Sequence, residues 1–387
     1  MAYTLLTGAT GLLGSHLLRD SLLAGRRMAV LIRSSKAESA QQRIENMLHG
    51  WELRLKRTLP RPVVLEGNLA ADGLGLDARA LDWIQQNCAA VIHNAASLAF
   101  RSDAEGEPFC SNVEGTRRML ALCRATGIRQ FHHVSTAYVC GLREGRILEG
   151  DLDVGQTLGN VYEKTKLQAE ILVRSADFLD RPTIYRPSII VGDSQTGYTT
   201  TFHGFYVPLK LAHTLARKVL RGATAGSLLM GCLGLKGMER KNFVPVNWVS
   251  AVMSRIYGQR ALHGKTYHIT SPRPTLIAAM AAIFQEAVEA YSPLAEVGDH
   301  CLLDGAWFQR TFREHMRIFG AYWRDDPDFD RTNTSHAAAD LACPAIDAAT
   351  MLRLAKYAID MNFGRRRAGE PPTGFDVPHS LVVAPCP

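Results

Sequence analysis

Residues 3–18 read YTLLTGATGLLGSHLL, and this stretch decides the fold. A short apolar run is followed by three glycines and then by apolar residues at helical spacing. A strand, a glycine-rich turn and a helix in this order are typical of a turn that binds a dinucleotide. Gly8 allows the tight turn, Gly11 lets the backbone approach a pyrophosphate, and Gly14 lets the helix pack closely on the strand.

The start of the first helix predicts an anion site. The first N–H groups of a helix have no partners within it, and the positive end of the helix dipole points the same way. The residues of this turn that we expect to contact the cofactor are Thr7, Gly8, Thr10, Gly11, Leu12, Leu13 and Gly14.

The end of the second predicted strand indicates which dinucleotide is bound. The strand covers residues 28–32 and runs into Arg33, Ser34 and Ser35, where an NAD enzyme usually has a carboxylate for the ribose hydroxyls. A guanidinium can bind a 2′-phosphate through two hydrogen bonds, whereas a carboxylate would repel it. We therefore predict NADPH as the cofactor, with Arg33 and Ser34 on the phosphate and Ser35 as a further donor. The alternative is a surface arginine at the end of a strand.

Strands and helices alternate through the first half of the chain. Further strands are expected at 62–67, 89–93, 131–134 and 181–191. This alternation favours an α/β fold of the Rossmann type, a doubly wound parallel sheet with helices on both faces. In such a sheet the small-residue turn Asn94, Ala95 and Ala96, which follows the fourth strand, would lie over the cofactor.

The predicted domain boundaries follow from where this pattern changes. After residue 192 the alternation loosens, which indicates a smaller, mainly helical C-terminal lobe that binds the substrate. The predicted boundaries are 1–192 for the NADP-binding domain, with 242–272 returning to it, 193–241 and 273–363 for the lobe, and 364–387 for a mobile tail. An aromatic helical stripe within 307–319 is interpreted as core packing, with an acyl channel as the alternative.

Composition places limits on the class of protein. The 387 residues are 47% hydrophobic and 21% charged, which is ordinary for a globular protein with a large domain and a smaller lobe. No apolar run reaches the ~18 residues of a membrane span, and the chain enters its first strand without a signal peptide. The eight cysteines form no CxxC pair and no metal-binding cluster. We expect a cytoplasmic protein with reduced thiols and no metal.

The net charge of +7 is carried mostly by scattered residues, with one cluster at 365–367. It indicates either a solvated basic surface or attraction of phosphate-rich ligands. No nucleic-acid-binding motif accompanies the charge, so we expect no nucleic-acid partner.

Tyr162 and Lys166 form the strongest catalytic pattern. They lie four residues apart on a predicted helix and so share a face. An ammonium near a phenol favours phenolate and lowers the phenol pKa, which would make Tyr162 an acid or base near neutral pH. A second YxxxK, Tyr206 to Lys210, contains Pro208 and lies beyond the sheet, so we reject it.

Hydroxyl and amide side chains complete the predicted site. Thr136 ends a strand near the cofactor edge and could share a substrate carbonyl with Tyr162, stabilising oxyanion charge. Ser135 is the alternative, and only one of the two can serve because adjacent strand residues point to opposite faces. Asn112 would hold a water or a backbone group in a proton relay, or would cap its own helix.

Residues 4 to about 270 resemble an extended short-chain dehydrogenase/reductase, and more narrowly the branch of fatty acyl-CoA reductases and thioester reductases. The segments that carry the resemblance are TGATGLLG (7–14), VLIRSS (30–35), GNLAADGLGL (67–76), HNAASLAF (93–100), NVEGTRRML (112–120), HVSTAYVCG (133–141), YEKTK (162–166), RPSIIVG (186–192) and VPVNWV (244–249). The GxxGxxG spacing is the variant of short-chain dehydrogenases. A looser likeness to acyl reductases runs from Tyr322 to Thr334.

The resemblance implies roles for individual residues. Thr136, Tyr162 and Lys166 would be the catalytic triad, and Pro187 and Ser188 would join the glycine turn on the cofactor. Asn68 and Leu69 would contact the adenine, although the family's usual acidic residue is an amide here. Asn247 likewise replaces a usual aspartate.

The resemblance also implies the reaction. We expect NADPH-dependent reduction of an acyl thioester, on coenzyme A or a carrier protein, to an aldehyde by a free-standing reductase, and whether the aldehyde is reduced further to an alcohol stays open. The alternatives are a ketone or sugar-nucleotide reductase or epimerase of the same class, and a non-catalytic NADPH-binding protein. The oligomeric state stays open.

Overall fold

The computed structural model describes residues 2–219, 230–231, 234–291 and 322–364. The predicted stripe within 307–319, the basic cluster at 365–367 and the tail at 365–387 lie outside the described residues. In the described part of the chain, no helix is both long enough and apolar enough to cross a membrane.

The strands are short and fall mostly in the first 270 residues. They are β1 Tyr3–Thr7, β2 Met28–Ile32, β3 Val63–Glu66, β4 Cys88–His93, β5 Gln130–Val134, β6 Arg146–Ile147, β7 Thr183–Pro187, β8 Ile189–Val191, β9 Arg240–Lys241, β10 Phe243–Pro245, β11 Thr266–Ile269, β12 Thr275–Leu276 and β13 Asp328–Phe329.

The α-helices alternate with the strands in the first domain and dominate the C-terminal part. They are α1 Leu12–Leu23, α2 Ala40–Leu55, α3 Ala78–Asn87, α4 Gly115–Thr126, α5 Val161–Arg174, α6 Tyr206–Val219, α7 Val246–Gly258, α8 Ile277–Tyr291, α9 Thr332–Ala337 and α10 Ala348–Asp360.

Seven strands form one parallel sheet in the order β3-β2-β1-β4-β5-β7-β11. The predicted Rossmann fold is confirmed. The chain runs outward from β1 to β3 on one side and from β4 to β11 on the other, so the strand order reverses between β1 and β4. A crevice forms at the carboxyl ends of strands at such a reversal, and ligands of doubly wound sheets bind there.

The sequence explains why β2 is an internal strand of the sheet. All five residues of β2, MAVLI, are buried, as expected for a parallel strand covered on both faces. The following helix α2 is capped by Ser39. Its Oγ accepts from the Gln42 N–H at 3.2 Å, while Gln42 Oε1 accepts from the Ser39 N–H at 2.9 Å. This capping box fixes where the chain leaves the β2 end of the sheet.

The predicted sixth strand, 181–191, is two strands. β7 joins the central sheet, whereas β8 pairs with β10 in a separate two-stranded sheet. The break falls at Ser188, whose N–H donates to Ile269 O while the Ile189 N–H donates to Asn242 O. An unbroken apolar run in the sequence carries no sign of this change of partner.

The C-terminal part packs on its own apolar core. Phe205, Phe284 and Leu354 are fully buried in this core, and α8 contacts both α6 and α10. The strand β11, which lies within the segment 242–272 that we predict to return to the first domain, occupies the edge of the central sheet. The substrate-binding role of the lobe stays a prediction.

Candidate active site

Two glycines of the first turn are required by the protein's own backbone. Gly8 has φ +70°, and a Cβ there would lie 2.7 Å from the Cα of Ala95. A Cβ on Gly14 would lie 2.0 Å from the carbonyl oxygen of Gly8. A side chain at either position would therefore push α1 or the end of β4 away from β1.

Gly11 differs, because the protein itself leaves room for a side chain there. Its Cβ would meet only Gly8 O, at 3.4 Å. Gly11 is the N-cap of α1, and no side chain caps this helix. An uncapped N-terminus above a glycine is a cradle for an anion that approaches the backbone closely. The turn therefore fits the pyrophosphate of a dinucleotide.

Thr7 and Asn94 join the ends of β1 and β4 below this cradle. Thr7 Oγ1 accepts from the N–H groups of Asn94 and Ala95, both at 3.1 Å, and Asn94 Nδ2 donates to Gly8 O at 3.2 Å. These side chains therefore fix the turn after β4 against the glycine turn, and Ala95 and Ala96 in that turn are half-buried.

Two arginines meet beside the turn. Arg33 is exposed at the end of β2, and Arg43 of α2 donates to the Arg33 carbonyl at 2.6 Å and to Thr10 Oγ1 at 3.3 Å. Burial and the neighbouring Arg33 charge lower the pKa of Arg43. Two like charges at this point fit a bound phosphate. Sequence reasoning missed Arg43, although its place in the helix that follows Arg33 could have indicated it.

The predicted serine donors have other partners. Ser34 donates its proton to Glu66 and accepts from the Ala40 N–H at 3.1 Å. Ser35 donates to Glu38 O at 3.3 Å. In this structure both serines build the entry into α2.

The residues predicted at the adenine form a surface loop after β3. Asn68 is exposed, and its Oδ1 accepts from the Ala70 N–H at 3.0 Å. Leu69 is half-buried against Gly115, and its carbonyl accepts from Arg118 at 3.2 Å. The amide of Asn68 thus stabilises its own turn.

Thr136 and Tyr162 are brought together. Tyr162 lies in the first turn of α5, whose N-cap Asn160 accepts from the Glu163 N–H at 2.9 Å. The Thr136 side chain lies close enough to the Tyr162 phenol to lower its pKa. Thr136 Oγ1 also lies 3.4 Å from Pro187 O, and Thr136 is only 4% exposed. The two hydroxyls therefore form one polar site at the carboxyl end of the sheet.

Ser135, the alternative to Thr136, faces elsewhere. Its buried Oγ has no hydrogen-bond partner among the described residues, and it lies near enough to the buried Glu170 carboxylate to lower the pKa of that group. The alternation of strand side chains accounts for this difference. Thr136 is therefore the hydroxyl that can act with Tyr162.

The predicted lowering of the Tyr162 pKa is wrong for this structure. Burial raises the pKa of Tyr162 to about 12, and the nearby Thr136 side chain opposes this only in part. The Lys166 ammonium donates instead to Val134 O at 2.6 Å, at the end of β5. The phenol is consequently protonated at neutral pH and can donate a proton.

Lys166 is buried as well, with 3% exposure. Burial lowers the pKa of Lys166 to about 8, while Glu170, one turn further along α5, acts in the opposite direction. A rise in pH from neutral to above about 8 would therefore remove the proton from Lys166.

Asn112 does not cap a helix. It lies in a π-helical turn, Cys110–Glu114, and is 2% exposed. Its Oδ1 accepts from Ser97 N–H at 2.8 Å, and its Nδ2 donates to Ser97 O at 3.0 Å and to Thr165 Oγ1 at 2.9 Å. The side chain therefore joins the loop after β4 to the helix that carries Tyr162.

Pro187 and Ser188 lie where β7 leaves the sheet. Pro187 O faces Thr136, and Ser188 Oγ donates to Asn242 Oδ1 at 2.8 Å. Both residues are buried. Ser188 fixes the break between β7 and β8 in this structure.

The residues described contain no group of three or more His, Cys, Asp or Glu side chains that could hold a metal ion.

Two aromatic neighbours of the site were missed by sequence reasoning. Phe100 stands beside Tyr162, with ring centroids 6.1 Å apart, and Tyr322 stands beside Phe100 at 5.5 Å. The loose likeness of the segment from Tyr322 to Thr334 to acyl reductases was the one feature of the sequence that could have indicated Tyr322.

Comparison with known proteins decides the family. The family model described as "Male sterility protein", an NAD-binding family, matches residues 6–253. The chain belongs to this family. The predicted class, a thioester-reductase-like extended short-chain dehydrogenase/reductase and hence an oxidoreductase, is confirmed. Membership of this family supports a nicotinamide cofactor.

Curated relatives of this male sterility family member are much longer than the chain. A linear gramicidin synthase polypeptide of Brevibacillus parabrevis is 33% identical over 204 residues, covering 50% of the chain and 4% of the relative. Aldehyde reductase lnaA of Aspergillus flavus is 27% identical over 326 residues, covering 80% of the chain and 29% of the relative. The chain therefore spans less than a third of either relative.

A solved structure shares the fold. The terminal R domain from the myxalamid PKS-NRPS biosynthetic pathway superposes with a TM-score of 0.71 and 24% identity, covering 96% of the chain and 93% of that domain.

Proposed function

We propose that the protein reduces an acyl thioester to an aldehyde with NADPH. The observation that carries this proposal is the pair of Thr136 and Tyr162 after β5, at the same carboxyl edge of the parallel sheet as the glycine turn after β1, in a member of an NAD-binding family. The thioester-reductase-like class favours a thioester, and one relative, L-2-aminoadipate reductase large subunit of Penicillium chrysogenum, 32% identical over 219 residues, is named a reductase.

The thioester would be carried on a carrier protein or coenzyme A. A thiolation-reductase di-domain from an archaeal non-ribosomal peptide synthetase has the same fold, with a TM-score of 0.66. The net charge of +7 would attract either anionic carrier. A substrate on either carrier presents the same thioester carbonyl group to Thr136 and Tyr162.

The chain's residues divide the work of holding the cofactor. The open N-terminus of α1 would hold the pyrophosphate, while Arg33 and Arg43 would hold the 2′-phosphate. Lys166, buried behind Tyr162, would hold the nicotinamide ribose. When bound, NADPH supplies a hydride to the thioester carbon.

Thr136 and Tyr162 would bind the carbonyl oxygen of the substrate. Their hydroxyls donate hydrogen bonds that strengthen as negative charge develops on that oxygen. Because burial raises the pKa of Tyr162 to about 12, the phenol is protonated at neutral pH and donates its proton to the oxygen. The product of this step is a neutral hemithioacetal.

Breakdown of the hemithioacetal reverses the proton transfer. The tyrosinate of Tyr162 takes the hydroxyl proton back, the carbon–oxygen double bond re-forms, and the carbon–sulfur bond breaks. The thiolate leaves and is protonated by solvent, which gives aldehyde and free thiol. The same donors could serve a second reduction to alcohol, and lnaA is named an aldehyde reductase.

The test follows NADPH oxidation with acyl-coenzyme A, acyl-carrier, ketone and sugar-nucleotide substrates while free thiol is titrated. We expect one thiol for each NADPH in the reduction to aldehyde. Tyr162→Phe should lower kcat by about 100-fold or more, because the proton donor is lost. The matched control is Tyr206→Phe, which removes the phenol of the second YxxxK pair. Oxidation of NADPH with ketones or sugar nucleotides but with no thioester would contradict the proposal.

A further inference from the structure

The segment Tyr322–Thr334, called the strap below, returns from the C-terminal part to the NAD-binding domain. Its strand β13 pairs with β6, and the N–H groups of Asp328 and Asp330 donate to Gly145 O at 2.9 Å and Ile147 O at 2.8 Å. Arg324 donates to Gly141 O at 2.6 Å. The strap is thereby joined to the loop that follows β5 and Thr136.

Asp326 anchors the strap within the protein interior. Its carboxylate accepts from the Tyr138 hydroxyl at 2.9 Å and the Asn242 N–H at 2.7 Å, and it pairs with Lys241 Nζ at 2.5 Å. Asp326 is 5% exposed and Lys241 is fully buried. The desolvation cost of a buried ion pair is offset only when further hydrogen bonds reach its charged groups. Both Asp326 and Lys241 have such hydrogen bonds.

The same ammonium sets the position of Tyr322. Lys241 Nζ donates to Tyr322 O at 2.7 Å and lies 5.0 Å from the centroid of its ring. The ring also packs beside Tyr138, with centroids 4.9 Å apart. A residue at the start of the strap is thus held by backbone, cation and ring contacts together.

Tyr322 packs against the C-terminal core without being enclosed by it. Its neighbour Trp323 is 4% exposed, whereas Tyr322 is only half-buried. The Phe100 ring neighbours both Tyr322 and Tyr162, at centroid distances of 5.5 and 6.1 Å. Phe100 is tied to α5, since its carbonyl accepts from the Val161 N–H at 3.4 Å.

We infer that Phe100 and Tyr322 form an acyl subsite, and that Tyr322 is a substrate-positioning residue for uncharged acyl groups longer than acetyl. The inference rests on the proposed function. With the carbonyl oxygen between Thr136 and Tyr162, the first carbons of the acyl group lie beside the same phenol, where these two rings offer apolar surface. Burial of that carbon chain against aromatic rings excludes water and orients the carbonyl.

The test compares hexanoyl- and acetyl-pantetheine as substrates of the full chain. Tyr322→Ala should raise KM for the hexanoyl thioester by about 10-fold or more and change kcat by less than about 3-fold, since burial of several methylenes is lost. The acetyl thioester and the Kd for NADPH should be unaffected. Tyr322→Phe, which keeps the ring, should behave like the wild type.

The control is Tyr291→Ala, which removes a half-buried tyrosine that contacts Lys356 instead. A loss of kcat with both thioesters and of Tm in Tyr322→Ala, not restored in Tyr322→Phe, would overturn the inference in favour of a folding role. Unchanged KM for the hexanoyl thioester would overturn it too.

Failure of the proposed function would show separately, as wild type that turns over no thioester. Saturation-transfer NMR with hexanoyl-pantetheine then decides the inference. Binding to wild type and Tyr322→Phe but not to Tyr322→Ala supports the subsite, whereas equal binding to all three, or no binding to wild type, overturns it.

Discussion

The Tyr162 phenol and the Lys166 ammonium share one face of α5, yet each has its own partner. The phenol meets Thr136, and the ammonium donates to Val134 O at 2.6 Å. The spacing in the sequence predicts the shared face, because helix periodicity requires it. The direction of the pKa shift depends on burial and on a backbone carbonyl, and neither can be obtained from spacing alone.

The pH dependence of turnover tests these shifts. Burial lowers the pKa of Lys166 to about 8, so its ammonium is present below that pH and is lost as the pH rises through it. We expect kcat/KM to fall above about pH 8. Tyr162, whose pKa is raised to about 12, adds no further fall below pH 10. The profile is measured from pH 6.5 to 9.5.

Lys166→Arg separates the two groups, since a guanidinium keeps its charge throughout this range. The fall above pH 8 should disappear in this variant, and the matched control Lys210→Arg, in the second YxxxK pair, should retain it. The same fall in Lys166→Arg would contradict the assignment to Lys166.

The role of Asn112 is a second feature that could not be predicted from the sequence. The residues around it read as a helix start, so a cap was a reasonable alternative. In the structure Asn112 bonds the backbone of Ser97 and the Thr165 hydroxyl. A contact across 53 residues of sequence leaves no local pattern, so its role in fixing α5 could not be predicted.

At the scale of the element, strands and helices were largely predictable and their partners were not. The buried run MAVLI and the glycine turn predict β2 and the β1–α1 connection. The division of residues 181–191 between two sheets depends on hydrogen bonds to residues 242 and 269, far along the chain.

We propose that the junction of β2 and α2 sets the preference for NADPH over NADH. Arg33 and Arg43 would each give a charge-assisted hydrogen bond to a 2′-phosphate, about 1.5–3 kcal/mol apiece. Arg33→Ala should therefore weaken NADPH binding by about 10- to 100-fold and leave NADH binding within about 3-fold. Nicotinamide fluorescence titration measures both values of Kd.

The matched control is Arg57→Ala, an exposed arginine just after α2. It should leave both affinities unchanged. Equal loss of NADPH and NADH binding in Arg33→Ala would show that the side chain supports the fold of the turn rather than the phosphate.

At the scale of the whole molecule, the catalytic edge is completed from both ends of the chain. The cofactor turn comes from residues 7–14, and the strap returns more than 300 residues later to Tyr138 and the loop after β5. The alternation of strands and helices predicts the first domain because each unit is local. The strap is held by a buried ion pair and two-residue strands, which give almost no periodic signal.

The central claim is that Thr136 and Tyr162 direct hydride to the carbonyl carbon of a thioester. The most direct measurement uses NADPH deuterated on either face of the nicotinamide C4, with an acyl thioester, and mass spectrometry of the aldehyde. We expect one deuterium on the aldehyde carbon from one face only, and labelled aldehyde formed at least about 100-fold more slowly by Tyr162→Phe. Aldehyde that is unlabelled with both deuterated cofactors, or release of thiol with label kept on both cofactors, would contradict the account.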